Sequence, residues 1–171
     1  MVGRHADAQL VARTLAGDTA AAGRLFDRHW PATVRAAGAV TADAARAEDA
    51  AAEAWLRAID RLASCQPATK FGPWLRRIAV NCAIDAIRAD RRLTALGDEP
   101  SPAPERDDDG ELRAAVRRLP LERRVVVALR FWADLSLPEI AEALDIPLGT
   151  ASSRLTRGVE DLRRALQGVV A

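Results

Sequence analysis

Residues 94–111, TALGDEPSPAPERDDDGE, cannot join a folded core, and this stretch constrains the whole chain. It holds seven acids against one arginine, a net charge of −6, together with three prolines and two glycines. Too little apolar surface is available for burial, and the like charges push the segment toward an extended form. The 171-residue chain therefore reads as two lobes, residues 1–93 and 112–171, joined by a flexible acidic linker over 94–111. Its net charge of +1 is a cancellation, because the lobes carry +4 and +3. Either lobe could approach a polyanion.

Both lobes read as helical. The chain has 37 alanines and no tyrosine, and alanine is the best helix former while β-branched residues are sparse. The fold class expected is all-α, with two small helical domains. In the first lobe, Asp7 is expected to cap a short helix through Leu15, Asp18 to cap a second that bends at Pro31, and Asp43 to open a third. The third helix has an apolar face of Ala47, Ala51, Ala54, Trp55, Ala58, Ile59 and Leu62. A polar loop, Ser64 to Thr69, precedes a fourth helix starting near Phe71.

The fourth helix, FGPWLRRIAVNCAIDAIRADRR, mixes aromatics, arginines and one asparagine with few acids. Arginines hold phosphates, an asparagine side chain can face a base edge, and an exposed aromatic can stack on an unpaired base. Phe71 and Trp74 serve equally well as core residues of an amphipathic helix.

The strongest local signal lies in the second lobe. Ser136-Leu-Pro-Glu139 is a capping box that opens a short helix packed through Ile140, Ala141 and Leu144. After the turn Asp145 to Gly149, Thr150 is expected to cap a second helix with Ala151, Leu155, Val159, Leu162 and Leu166 inward. Ser152, Ser153, Thr156 and Arg157 then face outward with Arg154 at the margin, the surface a helix-turn-helix lays into the major groove. Upstream, two helices broken at Pro120 supply a supporting core of Val116, Leu119, Val125, Val127, Leu129 and Phe131.

Read together, LVARTLAGD (10–18), AEDAAAEAWLRAI (47–59), WLRRIAVNCAIDAIRADRR (74–92) and the string from Leu119 to Gly158 resemble a bacterial RNA polymerase sigma factor of the extracytoplasmic-function type. The resemblance implies that residues 1–93 form sigma region 2 and residues 112–171 form sigma region 4. It implies binding to core RNA polymerase, through its clamp helices and flap, and to promoter DNA as duplex and as single strand. Glu48, Asp49, Glu53, Trp55 and Arg57 would face the polymerase. Lys70 and Phe71, with the loop before them, would capture a base flipped from the minus-ten element, while Arg77, Asn81 and Arg88 hold that strand. Thr150, Ser152, Ser153, Arg154, Thr156 and Arg157 would read the minus-thirty-five element. An anti-sigma factor wedged between the lobes is a further implied partner.

Several positions depart from the family pattern. Ala50, Ala51 and Ala52 replace a β-branched pair and a glutamine, Gly72 and Pro73 replace a bulkier polar pair, and Asp145 stands where glycine is common. Ser152 replaces a basic residue and Thr156 a large one.

Other readings explain less. A helix-turn-helix regulator independent of polymerase leaves the third and fourth helices without a role. An enzyme would need Asp107, Asp108 and Asp109 as a metal site, yet no base or nucleophile stands near them, so neither a catalytic residue nor a metal or cofactor is expected. Cys65 and Cys82 are too few for a disulfide scaffold. The N-terminus lacks a signal-peptide pattern and no stretch approaches a membrane span, so a cytoplasmic protein is expected, regulated from outside the chain.

Overall fold

The computed structural model describes residues 2–41, 43–94 and 111–167. Its elements are α1 (Val2–Leu15), α2 (Thr19–Thr41), α3 (Ala44–Asp60), two 3₁₀ turns (Leu62–Ser64 and Ala68–Lys70), α4 (Phe71–Thr94), α5 (Glu111–Arg118), α6 (Leu121–Phe131), α7 (Leu137–Leu144) and α8 (Leu148–Gln167). No strand occurs among the described residues. The linker expected over 94–111 falls, apart from its end residues, outside them.

Local chemistry sets most boundaries. The Ala21 amide donates to Asp18 Oδ1 at 3.0 Å and the Arg46 amide to Asp43 Oδ1 at 2.8 Å, so each aspartate satisfies a donor that its helix leaves unpaired. Pro120 separates α5 from α6, and the Ser136 amide and hydroxyl both donate to Glu139 at the start of α7. Helix α2 runs unbroken across Pro31.

Four expectations need correction. Asp7 does not cap α1, which begins at Val2; it is buried mid-helix, accepting from Arg28 Nη1 at 2.7 Å with His29 Nε2 at 3.1 Å. Thr150 is not a cap either, because α8 begins at Leu148 and Pro147 supplies the carbonyl that both the Thr150 and Ala151 amides reach. Phe131, at the end of α6, is 61% exposed rather than core. Val159 is only half-buried, while its neighbour Gly158 forms the tight contact with α6.

Each lobe has a local core. In the first, Leu10, Val11, Leu25, Ala58, Leu62, Phe71 and Leu75 pack together; in the second, Ala115, Val116, Leu119, Val127 and Leu162 do, whereas Val125 and Leu129, expected in that core, pack elsewhere. A third cluster spans both lobes: Ala36, Ala37, Val40, Val80, Ala83 and Ile84 share one core with Val125, Val126, Ala128, Leu129 and Ile140. Each fully buried aliphatic side chain contributes about 1.5–3 kcal/mol, and for these residues that burial is shared between packing within each lobe and contact across the junction.

Candidate nucleic-acid interface

Arg77, Asn81 and Arg88 share one side of helix α4, at steps of four and seven residues, with the buried Ile84 between the last two. Lys70 is exposed at the end of the second 3₁₀ turn, immediately before this helix. Together Lys70, Arg77, Asn81 and Arg88 give one face of the first lobe a line of donors.

Phe71 does not join them. It is 0% exposed, lies edge-on to His29 at 5.2 Å between ring centroids, and also meets Trp55 and Trp74. A ring held this way cannot offer its face to a base, so Phe71 shapes the surface from beneath and the stacking role expected for it is corrected. Gly72 explains part of the local departure from the family pattern, because a Cβ there would stand 3.0 Å from His29 Cε1. Burial depresses the pKa of His29, against the pull of Asp7. Cys65, in the loop preceding α4, is buried and its thiol is pushed up to about 11, which keeps it protonated and unreactive at neutral pH.

On α3, Glu48, Asp49 and Glu53 are exposed, while Ala47, Ala50, Ala51, Ala54 and Ala58 are buried against the bundle. Arg57 Nε donates to Glu53 Oε1 at 2.8 Å, and Asp85 of α4 lies 3.7 Å from its Nη1. Trp55 is half-buried, edge-on to Phe26 at 5.1 Å, so it belongs more to the core than to a docking surface. The sequence reading missed Leu56. It is 64% exposed, one turn beyond Glu53 on the same face, and the signal for it was an apolar residue interrupting a charged stripe.

Helix α8 is held to its lobe by Ala151, Gly158 and Leu162, and Arg123 of α6 donates to Asp161 at 2.5 Å. That hydrogen bond is the main reason the carboxyl of Asp161 titrates below its ordinary range. Ser153, Thr156 and Arg157 are exposed, and Thr150 and Ser152 are half-buried. Arg154 is half-buried and donates to Glu122 Oε2 at 3.0 Å, so this side chain has a protein partner. Asp145 closes the turn between α7 and α8 with φ 51°, in the left-handed region where glycine costs least.

No group of three or more His, Cys, Asp or Glu that could hold a metal occurs among the described residues, and Asp107, Asp108 and Asp109 lie outside them. No helix of the described residues is long and apolar enough to cross a membrane.

Comparison with known proteins agrees with this geometry. Residues 25–93 match Sigma-70 region 2 and residues 109–162 match Sigma-70, region 4. The chain is 33% identical to the ECF RNA polymerase sigma factor SigM of Mycobacterium tuberculosis, an alignment covering 96% of this chain and 87% of that protein. It is 34% identical to the ECF RNA polymerase sigma factor SigW of Bacillus subtilis, covering 71% and 75%. In fold it is similar to the sigma factor RpoE of Bartonella quintana, solved in complex with the anti-sigma factor NepR. The TM-score is 0.68 and the identity 20%, over 85% of this chain and 96% of that one.

Proposed function

The chain belongs to the extracytoplasmic-function RNA polymerase sigma factors, and from that premise we propose how its surfaces divide the work of initiation. As a sigma factor it binds core RNA polymerase and directs transcription from particular promoters. Sigma factors act by binding rather than by covalent chemistry.

Residues 1–93 serve as the minus-ten and polymerase-binding domain, residues 94–111 as the spacer, and residues 112–171 as the minus-thirty-five domain. Lys70, Arg77 and Arg88 hold the phosphates of the separated strand, and Asn81 supplies both a donor and an acceptor to a base edge. Extracting a base from its stack costs a few kcal/mol, which a charged, hydrogen-bonding groove can offset. Thr156, Arg157, Ser152 and Ser153 read the duplex, joined by Arg154 when its bond to Glu122 is exchanged for DNA, and Thr150 approaches the backbone at the helix start. The exposed row Glu48, Asp49, Glu53 and Leu56 docks on polymerase, with Arg57 and Trp55 setting its edges. An anti-sigma factor is the regulatory partner, as in the Bartonella quintana complex.

The observation that supports this division most directly is the single stripe of Arg77, Asn81 and Arg88 on α4, on a different helix and lobe from the exposed recognition residues of α8. The test is a pair of substitutions in reconstituted holoenzyme. Asn81→Ala should impair promoter opening, read by permanganate reactivity of unpaired thymines, while leaving binding to the minus-thirty-five duplex unchanged. Arg157→Ala should weaken duplex binding first. Equal loss of both activities in both variants would contradict the assignment.

A further inference from the structure

His29 of α2 is wedged between a carboxylate and the start of α4. Its Nε2 stands 3.1 Å from Oδ2 of the buried Asp7, yet that nitrogen, itself buried, makes no aligned hydrogen bond. On the far side, Cε1 and Nδ1 of the ring lie 3.0 and 3.1 Å from the point where a Cβ on Gly72 would stand. The ring also meets Phe71 edge-on, at 5.2 Å between centroids. Asp7 in turn is anchored by Arg28, whose Nη1 donates to Oδ1 at 2.7 Å. A line of contacts therefore runs from Arg28 through Asp7 and His29 to Phe71 and Gly72, the first two residues of α4.

The same line reaches the strand-binding surface. Lys70 ends the 3₁₀ turn that runs directly into Phe71, and α1, which carries Asp7, packs against that turn. Arg76, one helical turn beyond Gly72, folds back until Nη1 comes within 3.2 Å of the same Cβ position. Arg77 and Asn81 follow on the same helix. A shift in the first turn of α4 therefore moves Lys70 relative to Arg77 and Asn81, and a binding site of this kind needs its groups held to within about 0.5 Å.

We propose that His29, held by Asp7, is a positioning residue for strand capture, and that it acts as the neutral ring. The proposal rests on the assignment of Lys70, Arg77 and Asn81 to the minus-ten strand. Among the described residues three charged groups act on the ring: Asp7 of α1 favours a proton, while Arg76 of α4 and Arg28 of α2 oppose one. Desolvation opposes it most, and the positive end of α4 adds to that opposition. A proton taken up from solvent at lower pH is best held by turning Nε2–H onto Asp7 Oδ2. That turn withdraws the ring from Gly72 and Phe71, so the first turn of α4 loses its support as the ion pair tightens.

The test uses holoenzyme reconstituted from core polymerase and the full chain, on a promoter that the parent holoenzyme selects from a randomised library. Opening is read by permanganate reactivity of unpaired thymines, normalised at each pH to a premelted bubble of the same sequence. Between about pH 7.5 and about pH 5.5, opening by the parent should fall roughly threefold more than opening by His29→Gln, which keeps a polar side chain without a titrating group. Binding to the minus-thirty-five duplex should follow one pH course in both. Asp7→Asn removes the attraction for the proton, so its fall should begin at lower pH than the parent's. Identical pH profiles for the parent and His29→Gln, or a fall that Asp7→Asn leaves in place, would overturn the proposal.

Should His29→Gln lose its cooperative melt, Gly72→Ala makes the test at pH 7.5. Its methyl pushes the ring toward Asp7 and should lower opening roughly threefold to tenfold, with duplex binding within about twofold of the parent. With His29→Ala beside it the methyl meets no ring, so the double variant should open no worse than His29→Ala alone; losses that add would overturn the proposal. Asn81→Ala in the same assay keeps the two readings apart. Normal opening by Asn81→Ala means that the strand assignment has failed. Impaired opening by Asn81→Ala, beside a pH profile that His29→Gln leaves unchanged, means that positioning by His29 alone has failed.

Discussion

Gly158 of α8 lies so close to Val127 of α6 that a methyl group on the glycine would stand 2.9 Å from Val127 Cγ2. The recognition helix owes its seating to this missing side chain. Gly158→Ala should lower the stability of the second lobe by about 1–3 kcal/mol, since a well-packed core absorbs an extra methyl only by shifting. Thermal melts against the parent check it, and a stability equal to or above the parent would show that the two helices separate freely.

Asp145 holds φ 51° in the turn of the helix-turn-helix. Asp145→Gly should leave stability unchanged or raise it by under about 1 kcal/mol, while Asp145→Val should lower it by about 1–2 kcal/mol, because a β-branched residue resists the left-handed region. Denaturant melts of the two variants should therefore move apart from each other. Coincident midpoints would mean that the turn relaxes to another conformation.

His29 is half-buried beside Asp7, Arg28, Arg76 and Phe71, and its pKa is depressed below the ordinary 6.5, chiefly by desolvation. With the folded pKa lowered, the unfolded chain takes up the proton first, so stability falls as pH drops through about 6.5 toward the folded value. Melting temperatures measured from about pH 7.5 to about pH 5 should decline, and the decline should be shallower in His29→Gln. A stability that rises over that interval would mean the ion pair with Asp7 outweighs burial.

Leu56 exposes most of its side chain beside Glu53 without packing on the bundle. Leu56→Asp should leave the melting temperature nearly unchanged and weaken binding to core polymerase by about 1–3 kcal/mol, the range of an apolar anchor in an interface. Competition for core polymerase against a labelled parent chain measures it. An unchanged affinity would move the docking surface off this face of α3.

Much of this fold was legible because helix ends are written in local chemistry: Asp18, Asp43, Pro120 and the Ser136–Glu139 pair each mark a boundary the structure keeps. Asp7 misled because a cap and a buried ion-pair partner are the same residue type, and only the later approach of Arg28 and His29 distinguishes them. Gly158 escaped notice since a glycine adds nothing to a hydrophobic stripe, although its absence of bulk is what α6 requires. Docking of the lobes was illegible for another reason. Val125, Val126 and Leu129 face inward in any helical reading, and periodicity tells that a face is buried without telling which lobe buries it. The polar stripe of α4 was readable from residue type, whereas the burial of Phe71 and the pairing of Arg154 with Glu122 depend on neighbours distant in sequence.

The central claim is that this chain gives RNA polymerase its promoter choice. Purified full-length chain added to core RNA polymerase with a randomised promoter library measures it most directly, with transcript start sites read by sequencing. The account predicts transcripts that begin downstream of a shared pair of elements and disappear when the chain is omitted. Tight duplex binding by the chain alone, with no chain-dependent transcript from any member of the library, would contradict it.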